Sequence, residues 1–330
     1  MPNVTVIMTV YNGEQYVKLA VDSIVAQTYS DWELIVVDDA STDRTPDILA
    51  RYRDSRIRTI RCETNRKQAA CANLGISFAR GKYIARLDSD DVALPDRLAV
   101  QVGFMEQHPD VVLVASAAYN IDEQGVRVGF RPGGLSDCDL KFRMVSSNPL
   151  VHSSVLYRTA AAETLKGYRE DEYYWFGEDY EFLSRLACLG KTCVLPEPLI
   201  EYRVHPMSIS AGNVPGQGRQ GESVARANLC RILGQNIDDE AWSAWWRFTM
   251  TRPGCSVKFT DLDVGSIASI ALMLIERIPH DPGKRCGVPR LWARHALALA
   301  ARRRNSLTTR ARTALMGMSF RVGLATMFFH

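Results

Sequence analysis

The sequence predicts an α/β protein, a mostly parallel sheet flanked by helices, with a helical extension at its C-terminal end. Three observations carry that expectation. Short apolar runs alternate with helical periodicity through the first ninety residues, which is the pattern of βαβ units. Several runs end in polar or acidic residues, and beyond Glu222 the strand signals stop.

The elements follow in order. Residues 4–10 (Val-Thr-Val-Ile-Met-Thr-Val) form a β-branched run expected of a strand buried on both faces. Tyr11-Asn12-Gly13 breaks it, and Tyr16, Leu19, Ala20 and Ile24 fall at helical spacing across 14–26. A second strand covers 32–37 and ends at Asp38-Asp39, after which Ser41-Thr42-Asp43 offers N-cap chemistry to a helix over 45–53. A third strand is expected over 57–62, a helix over 68–79, and a fourth strand over 82–87 that runs into Asp88-Ser89-Asp90-Asp91. Further on, the pattern reads as helix 96–107, strand 111–115, a hairpin around Asp122–Gly125, and helix 135–147. Strand 151–157, helix 178–189 and strand 192–195 follow. The Gly-rich segment 210–221 reads as a linker, and 222–330 as mostly helical.

Bulk properties exclude several classes. At 330 residues, with 46% hydrophobic and 23% charged, the chain has an ordinary globular composition. No run approaches the roughly 20 apolar residues that span a bilayer. Eight scattered cysteines without a CxxC pair suit reduced thiols. With no basic or apolar leader at Met1-Pro2-Asn3-Val4, a cytoplasmic protein is expected. Residues 282–330 carry ten Lys or Arg and no Asp or Glu against a whole-chain charge of +3, so the rest of the chain is net acidic. A basic amphipathic helix over 290–304 followed by apolar Phe320, Leu324 and Phe328 suits an anionic membrane surface at the inner face of the cell membrane, or a cap packed on the body. Nothing else in the chain supports nucleic-acid binding.

In open α/β sheets, ligands gather at the carboxyl ends of the strands. Here those ends bear Thr9-Val10-Tyr11, Asp38-Asp39 and Asp88–Asp91. Clustered acids at the end of a buried strand are costly unless a cation meets them, and a divalent metal holding a diphosphate is the natural partner. No GxGxxG follows the first strand, so a dinucleotide site is not expected. Tyr11 suits stacking on a base, and Asp39 suits accepting the N3–H of uracil. Glu178-Asp179 opens a helix, where the positive end of the dipole favours an ionised acid able to act as general base.

Taken in order, Val6–Asn12, Val36–Asp43, Leu87–Asp91 with Pro95-Asp96-Arg97-Leu98, His152-Ser153-Ser154-Val155, Gly177–Phe182 and Tyr202-Arg203-Val204-His205 resemble the family 2 glycosyltransferases of the GT-A fold. The resemblance covers about residues 3–212. It implies an inverting transferase that moves a sugar from a nucleotide donor, UDP-linked, to a glycan or lipid-linked acceptor in polysaccharide assembly. It divides the chain into a nucleotide-sugar-binding half over 1–100, an acceptor and catalytic half over 101–212, and the extension over 222–330. Base and ribose binding is implied for Thr9, Val10, Tyr11, Asp39, Asp88 and Ser89, and metal ligation (Mn²⁺ or Mg²⁺) for Asp90 and His205. Asp179 is implied as the base, with Glu178, Trp175 and His152 lining the acceptor side and Arg203 meeting the diphosphate. Asp91 is expected to be structural. Departures from the family pattern stand at Thr9, Ala40, Lys67 and Ala72, with Arg66 or Lys67 offered in place of a missing phosphate-side charge. A catalytically silent nucleotide-sugar binder and a nucleotidyltransferase are the alternatives. The first is disfavoured by Asp179, the second by the lack of a Gly-rich basic loop after the first strand.

Overall fold

The computed structural model describes residues 1–175, 177–205, 217–250 and 260–277. By its contacts the chain divides into two units, residues 1–137 with 150–220, and 138–149 with the described residues from 221 onward. The basic tail (282–330) and most of the linker expected from the sequence lie outside the described residues.

In the first unit the strands are β1 (Val4–Val10), β2 (Trp32–Asp38), β3 (Ile57–Arg61), β4 (Tyr83–Arg86), β5 (Val92–Ala93), β6 (Val111–Ile121), β7 (Arg127–Arg131), β8 (Leu156–Arg158) and β9 (Lys191–Arg203). The helices are α1 (Val17–Val25), α2 (Thr45–Leu49), α3 (Lys67–Ser77), α4 (Arg97–Gln107), α6 (Thr159–Thr164) and α7 (Glu178–Leu186), while α5 (Asp137–Arg143) crosses into the second unit. All nine strands join one sheet in the order β3-β2-β1-β4-β8-β6-β9-β5, with β7 paired to β6. The first four strands pair in parallel, as the βαβ pattern requires. The other half is mixed: β8 runs antiparallel to β4 and β6, while β6 and β9 run parallel.

Alternation explains the layers. Val4, Val6, Met8, Leu34 and Val36 project into one core with Val17, Ile24, Leu98 and Met105 from α1 and α4. Ile35 and Val37 face the opposite side and pack with Cys62 and Cys71, under α3. Gly75 lets α3 approach closely, since a Cβ there would stand 2.6 Å from Ile7 Cγ2.

Three local expectations are corrected. His152 does not head a strand: His152–Ser154 is a 3₁₀ turn, and the strand begins only at Leu156. The strand expected over 192–195 is longer, because β9 continues through Pro196 and Pro198 to Arg203 with irregular register against β6. Cys138 is disulfide-bonded, against the expectation of reduced thiols throughout, whereas Cys62, Cys71, Cys188, Cys193 and Cys230 are free.

Two of the sequence departures acquire a physical reading. Ala40 (φ 62°) and Lys67 (φ 71°) both occupy the left-handed region, where a side chain costs about 1–2 kcal/mol and glycine costs nothing. Each substitution Ala40→Gly and Lys67→Gly is expected to raise stability by about 0.5–1 kcal/mol, after the entropy glycine loses on folding is deducted. Urea denaturation at constant m-value checks this, and a loss of stability at both positions would refute it.

In the second unit α8 (Gln217–Leu233), α9 (Asp239–Met250) and α10 (Asp261–Arg277) bury Leu229, Trp242, Trp245, Ile267 and Leu274. Asn228 Nδ2 donates to the Met144 carbonyl, and Arg247 pairs with Asp263 at 2.6 Å. Among the described residues no helix is long and apolar enough to cross a membrane.

Candidate active site

Strand order builds the site. β1 lies between β2 and β4, so the residues after these strands (Thr9–Tyr11, Asp38-Asp39 and Asp88–Asp91) stand side by side. The loops after β1 and β2 are tied together: Asn12 N–H donates to Ser41 Oγ, Gly13 N–H to Thr45 Oγ1, Glu14 N–H to Asp43 Oδ2, and Thr42 N–H to Asn12 Oδ1. The hydroxyls and carboxylate expected to cap α2 are thus used largely across loops. Tyr11 emerges from this knot 53% exposed, leaving its ring face open to a planar ligand. Asp39 is buried and its two oxygens accept the N–H groups of Arg66 and Lys67, at 2.6 and 3.0 Å. Asp38 accepts from Ser41 N–H and sits 3.6 Å from Arg61 Nε, a bracing role. Beside these strand ends a cleft of about 850 Å³ is lined by Ala40–Asp43, Pro46, Asp47 and Arg61–Glu63.

The acids separate by environment. Asp88 takes the Arg86 guanidinium at 3.2 Å and stands 3.6 Å from His152 Nδ1, while its N–H donates to Ser153 Oγ. Burial works to raise the Asp88 carboxyl, but the charge and hydrogen bond of His152, then Arg86 and Ser153, hold it below the usual carboxylate range. Asp90 moves the other way: burial, then the charge of Asp88, raises it, with His205 opposing. Asp91 is buried, accepts Arg203 N–H through Oδ1 at 2.7 Å, and is pushed well up by burial and by Asp90 and Asp88.

The short strand β5 follows the acids and pairs antiparallel with the end of β9. That pairing brings His205 Nε2 to 3.1 Å from Asp90 Oδ2 across 115 residues of sequence. Asp91 Oδ2 is buried without a hydrogen-bond partner. Carboxylate oxygens under excess negative charge, with one imidazole, form a hard donor set that fits Mg²⁺ or Mn²⁺.

Arg203 is tied to the acidic loop. Its Nε donates to the Asp90 carbonyl and its Nη1 to those of Asp122 and Glu123, while the guanidinium lies 4.3 Å over Tyr16. Those donors brace the acidic loop.

His152 Nε2 meets the Tyr168 hydroxyl at 2.9 Å, and Tyr168 stacks on Phe182 of α7 at 4.0 Å. Glu178 and Asp179 open α7, and Tyr180 N–H donates to Asp179 Oδ1 at 2.6 Å. Glu178 is raised to about 8 by burial and then by Asp179, with Asp88 adding to the shift and Arg86 opposing it, so the start of α7 lies within electrostatic reach of the strand-end acids. Trp175 is 37% exposed with its ring 5.5 Å from Lys67 Nζ, which places Lys67 on the α7 side of the site.

The Glu178 shift has a sign that can be tested. Between its ordinary value of 4.5 and about 8, the folded chain holds a proton that the unfolded chain has released. Stability therefore falls as pH rises through that window. Glu178→Gln should flatten this slope, stabilising the protein more at pH 9 than at pH 5. Thermal melts across pH check it, and parallel profiles for both proteins would refute it.

Sequence reasoning missed Arg86, Arg97 and Tyr168. Arg86, fully buried in β4, donates to the Ile7 carbonyl and to Thr9 Oγ1 as well as to Asp88. An arginine inside an otherwise apolar strand next to acids was the available signal. Tyr168 offered none.

The model of the family described as "Glycosyl transferase family 2" matches residues 5–158. EpsE of Bacillus subtilis, named as a glycosyltransferase, is 40% identical over 171 residues, 51% of this chain and 60% of that protein. An uncharacterized glycosyltransferase of Methanocaldococcus jannaschii, MJ1057, is 35% identical over 209 residues, 62% of this chain and 71% of its own. WfgD of Escherichia coli, named a UDP-Glc:alpha-D-GlcNAc-diphosphoundecaprenol beta-1,3-glucosyltransferase, is 37% identical over 102 residues, 31% of this chain and 40% of its own. The chain thus spans well under two thirds of the length of some of these relatives. Staphylococcus aureus TarS (residues 1–349, in complex with UDP-GlcNAc) superposes with a TM-score of 0.61 at 20% identity, covering 98% of this chain and 92% of the other, and so shares its fold. Fold, motif order and sequence identity agree: the chain belongs to glycosyl transferase family 2.

Proposed function

We propose that this chain is an inverting, metal-dependent glycosyltransferase that moves a sugar from a UDP-sugar to a glycan or lipid-linked acceptor. The observation that carries the reading is the meeting of Asp88, Asp90 and His205 at one strand end, with the Glu178-Asp179 helix start in electrostatic reach. The names of WfgD and of the TarS complex support the donor class, and WfgD the lipid-linked acceptor.

In this reading the uracil ring lies against Tyr11 with its N3–H on Asp39, whose carboxylate has acceptor capacity beyond the bonds from Arg66 and Lys67. Thr9, Val10 and Ser89 line the nucleoside, and Asp88, ionised and fixed by Arg86 and His152, receives the ribose hydroxyls. A Mg²⁺ or Mn²⁺ ion held by Asp90 and His205 would offset the charge of the diphosphate. Asp179 takes the proton of the acceptor hydroxyl as its oxygen bonds to the anomeric carbon, and the bond to the β-phosphate oxygen breaks with its electron pair leaving on UDP. Attack from the face opposite the leaving group inverts the anomeric centre. Trp175 offers an apolar wall to the acceptor sugar.

A donor screen read by UDP release tests the proposal. Activity with one UDP-sugar is expected, abolished by EDTA and restored by Mn²⁺ or Mg²⁺. His205→Ala should raise the metal concentration needed for half-maximal rate by at least about tenfold, the scale of losing a ligand or its support. Release of UDP that is indifferent to EDTA would overturn the metal assignment, and no release from any donor would overturn the enzyme reading.

A further inference from the structure

Beneath the nucleotide pocket lies a cluster that the transfer chemistry does not use. One carboxylate oxygen of Asp39 and the Sγ atoms of Cys62 and Cys71 lie within 4.8 Å of one another, all three residues buried. They come from three places in the fold: Asp39 directly follows β2, Cys62 directly follows β3, and Cys71 lies in the second turn of α3. Cys62 N–H donates to the Asp38 carbonyl, which fixes the two strand ends in register. Both thiols are free.

We propose that Asp39, Cys62 and Cys71 form a second, thiophilic metal site that takes Zn²⁺ or Cd²⁺ and closes the nucleotide pocket when filled. Four features support it. Two thiolates and one carboxylate form a borderline-soft set that selects Zn²⁺ or Cd²⁺ over the hard ions suited to Asp90 and His205. The N–H groups of Arg66 and Lys67 already hold the Asp39 carboxylate, the outer hydrogen bonding that ligating carboxylates require. Cys62 lines the 850 Å³ cleft, so an ion has a way in and a water can complete a tetrahedral shell. The chain also pays for this arrangement with backbone strain, since Lys67, which supplies one of those N–H groups, stands at φ 71°.

The chemistry balances simply. A cysteine ligates as its thiolate, so each thiol must lose its proton when the ion binds. Binding therefore expels the thiol protons to solvent, and affinity rises with pH. The consequence for activity rests on the proposed function: if Asp39 receives the uracil N3–H, a metal on its carboxylate excludes the base.

The test uses the full chain, stripped of metal and kept reduced. Titration with Co²⁺ or Cd²⁺ should give one equivalent of thiolate-to-metal charge-transfer absorption, displaced by Zn²⁺. Cys71→Ala should lower the affinity by about 100-fold or more, beyond the loss typical of an outer-shell partner. Cys71→Ser serves as a second variant should the first fold poorly, and circular dichroism verifies both. In calorimetry with Mn²⁺ present, stoichiometric Zn²⁺ should weaken UDP binding at least tenfold in the wild type and not in Cys71→Ala. Absence of the thiolate band, or a band of equal strength in Cys71→Ala, overturns the site. A band present with UDP affinity unchanged leaves the metal site standing and overturns instead the placement of uracil on Asp39.

Discussion

Asp179→Asn is expected to lower kcat by about 10³-fold while leaving the Kd for UDP within twofold of wild type, on the scale of a lost general base. Asparagine keeps the shape of the side chain and the oxygen that accepts Tyr180 N–H, so α7 should start as before. What it loses is the capacity to take the acceptor's proton. Glu178 is poorly placed to stand in, because it is buried, and burial, the largest cause of its raised value, persists in the variant. The two adjacent acids differ in surroundings, Glu178 buried and Asp179 half-exposed at the helix start. The measurements are UDP release under saturating donor and calorimetric UDP binding. A variant retaining more than a tenth of wild-type kcat would exclude Asp179 as the base. A loss confined to UDP affinity would place it at the nucleotide instead.

Local signals made much of this legible. The β-branched run 4–10, the helical periodicity after it and the strand-end acids correctly announced β1, α1, β2 and β4, because a strand covered on both faces must be apolar throughout. The second half of the sheet was less readable. Strand β8 has three residues and β5 two, too short for any period, and both exist because neighbouring strands offer hydrogen bonds. The site divides along the same line. Asp88, Asp90 and Asp179 announce themselves by motif, but the bonds that set their states are long-range: Asp88 with His152, Asp90 with His205, Asp91 with Arg203. Arg203 adds a further case, since the carbonyls of Asp90, Asp122 and Glu123 accept its N–H groups, contacts that no spacing in the sequence reveals. The αL positions of Ala40 and Lys67 were visible only as absent glycines, a clue whose meaning is a dihedral angle.

Arg97→Leu should be the most destabilising single change in the site's scaffold, by about 3–5 kcal/mol, the cost of leaving two buried carbonyls and a buried amide without their donor. Arg97 is fully buried at the first turn of α4. Its Nη2 donates to the carbonyls of Arg86 and Val155, and its Nε to Gln101 Oε1, which in turn lets Gln101 Nε2 reach the Ser154 carbonyl. One side chain therefore joins the end of β4, the 3₁₀ turn that carries His152, and α4. Burial pulls the guanidinium down to about 9, and the charges of Asp91 and Asp88 oppose that pull. The dependence is mutual, because Asp91 is already raised by burial and by its acidic neighbours, and removing Arg97 takes away a nearby cation. For a domain of this size the loss corresponds to roughly 10 °C in Tm. Arg97→Lys should recover little, since an ammonium cannot span the two carbonyls and the amide that the fork meets. If charge is the reason, Asp91→Asn combined with Arg97→Leu should cost less than the two changes summed, a coupling of about 1 kcal/mol or more in a double-mutant cycle. Strict additivity would leave only the carbonyl hydrogen bonds as the arginine's contribution, and an Arg97→Leu protein as stable as wild type would refute the argument outright.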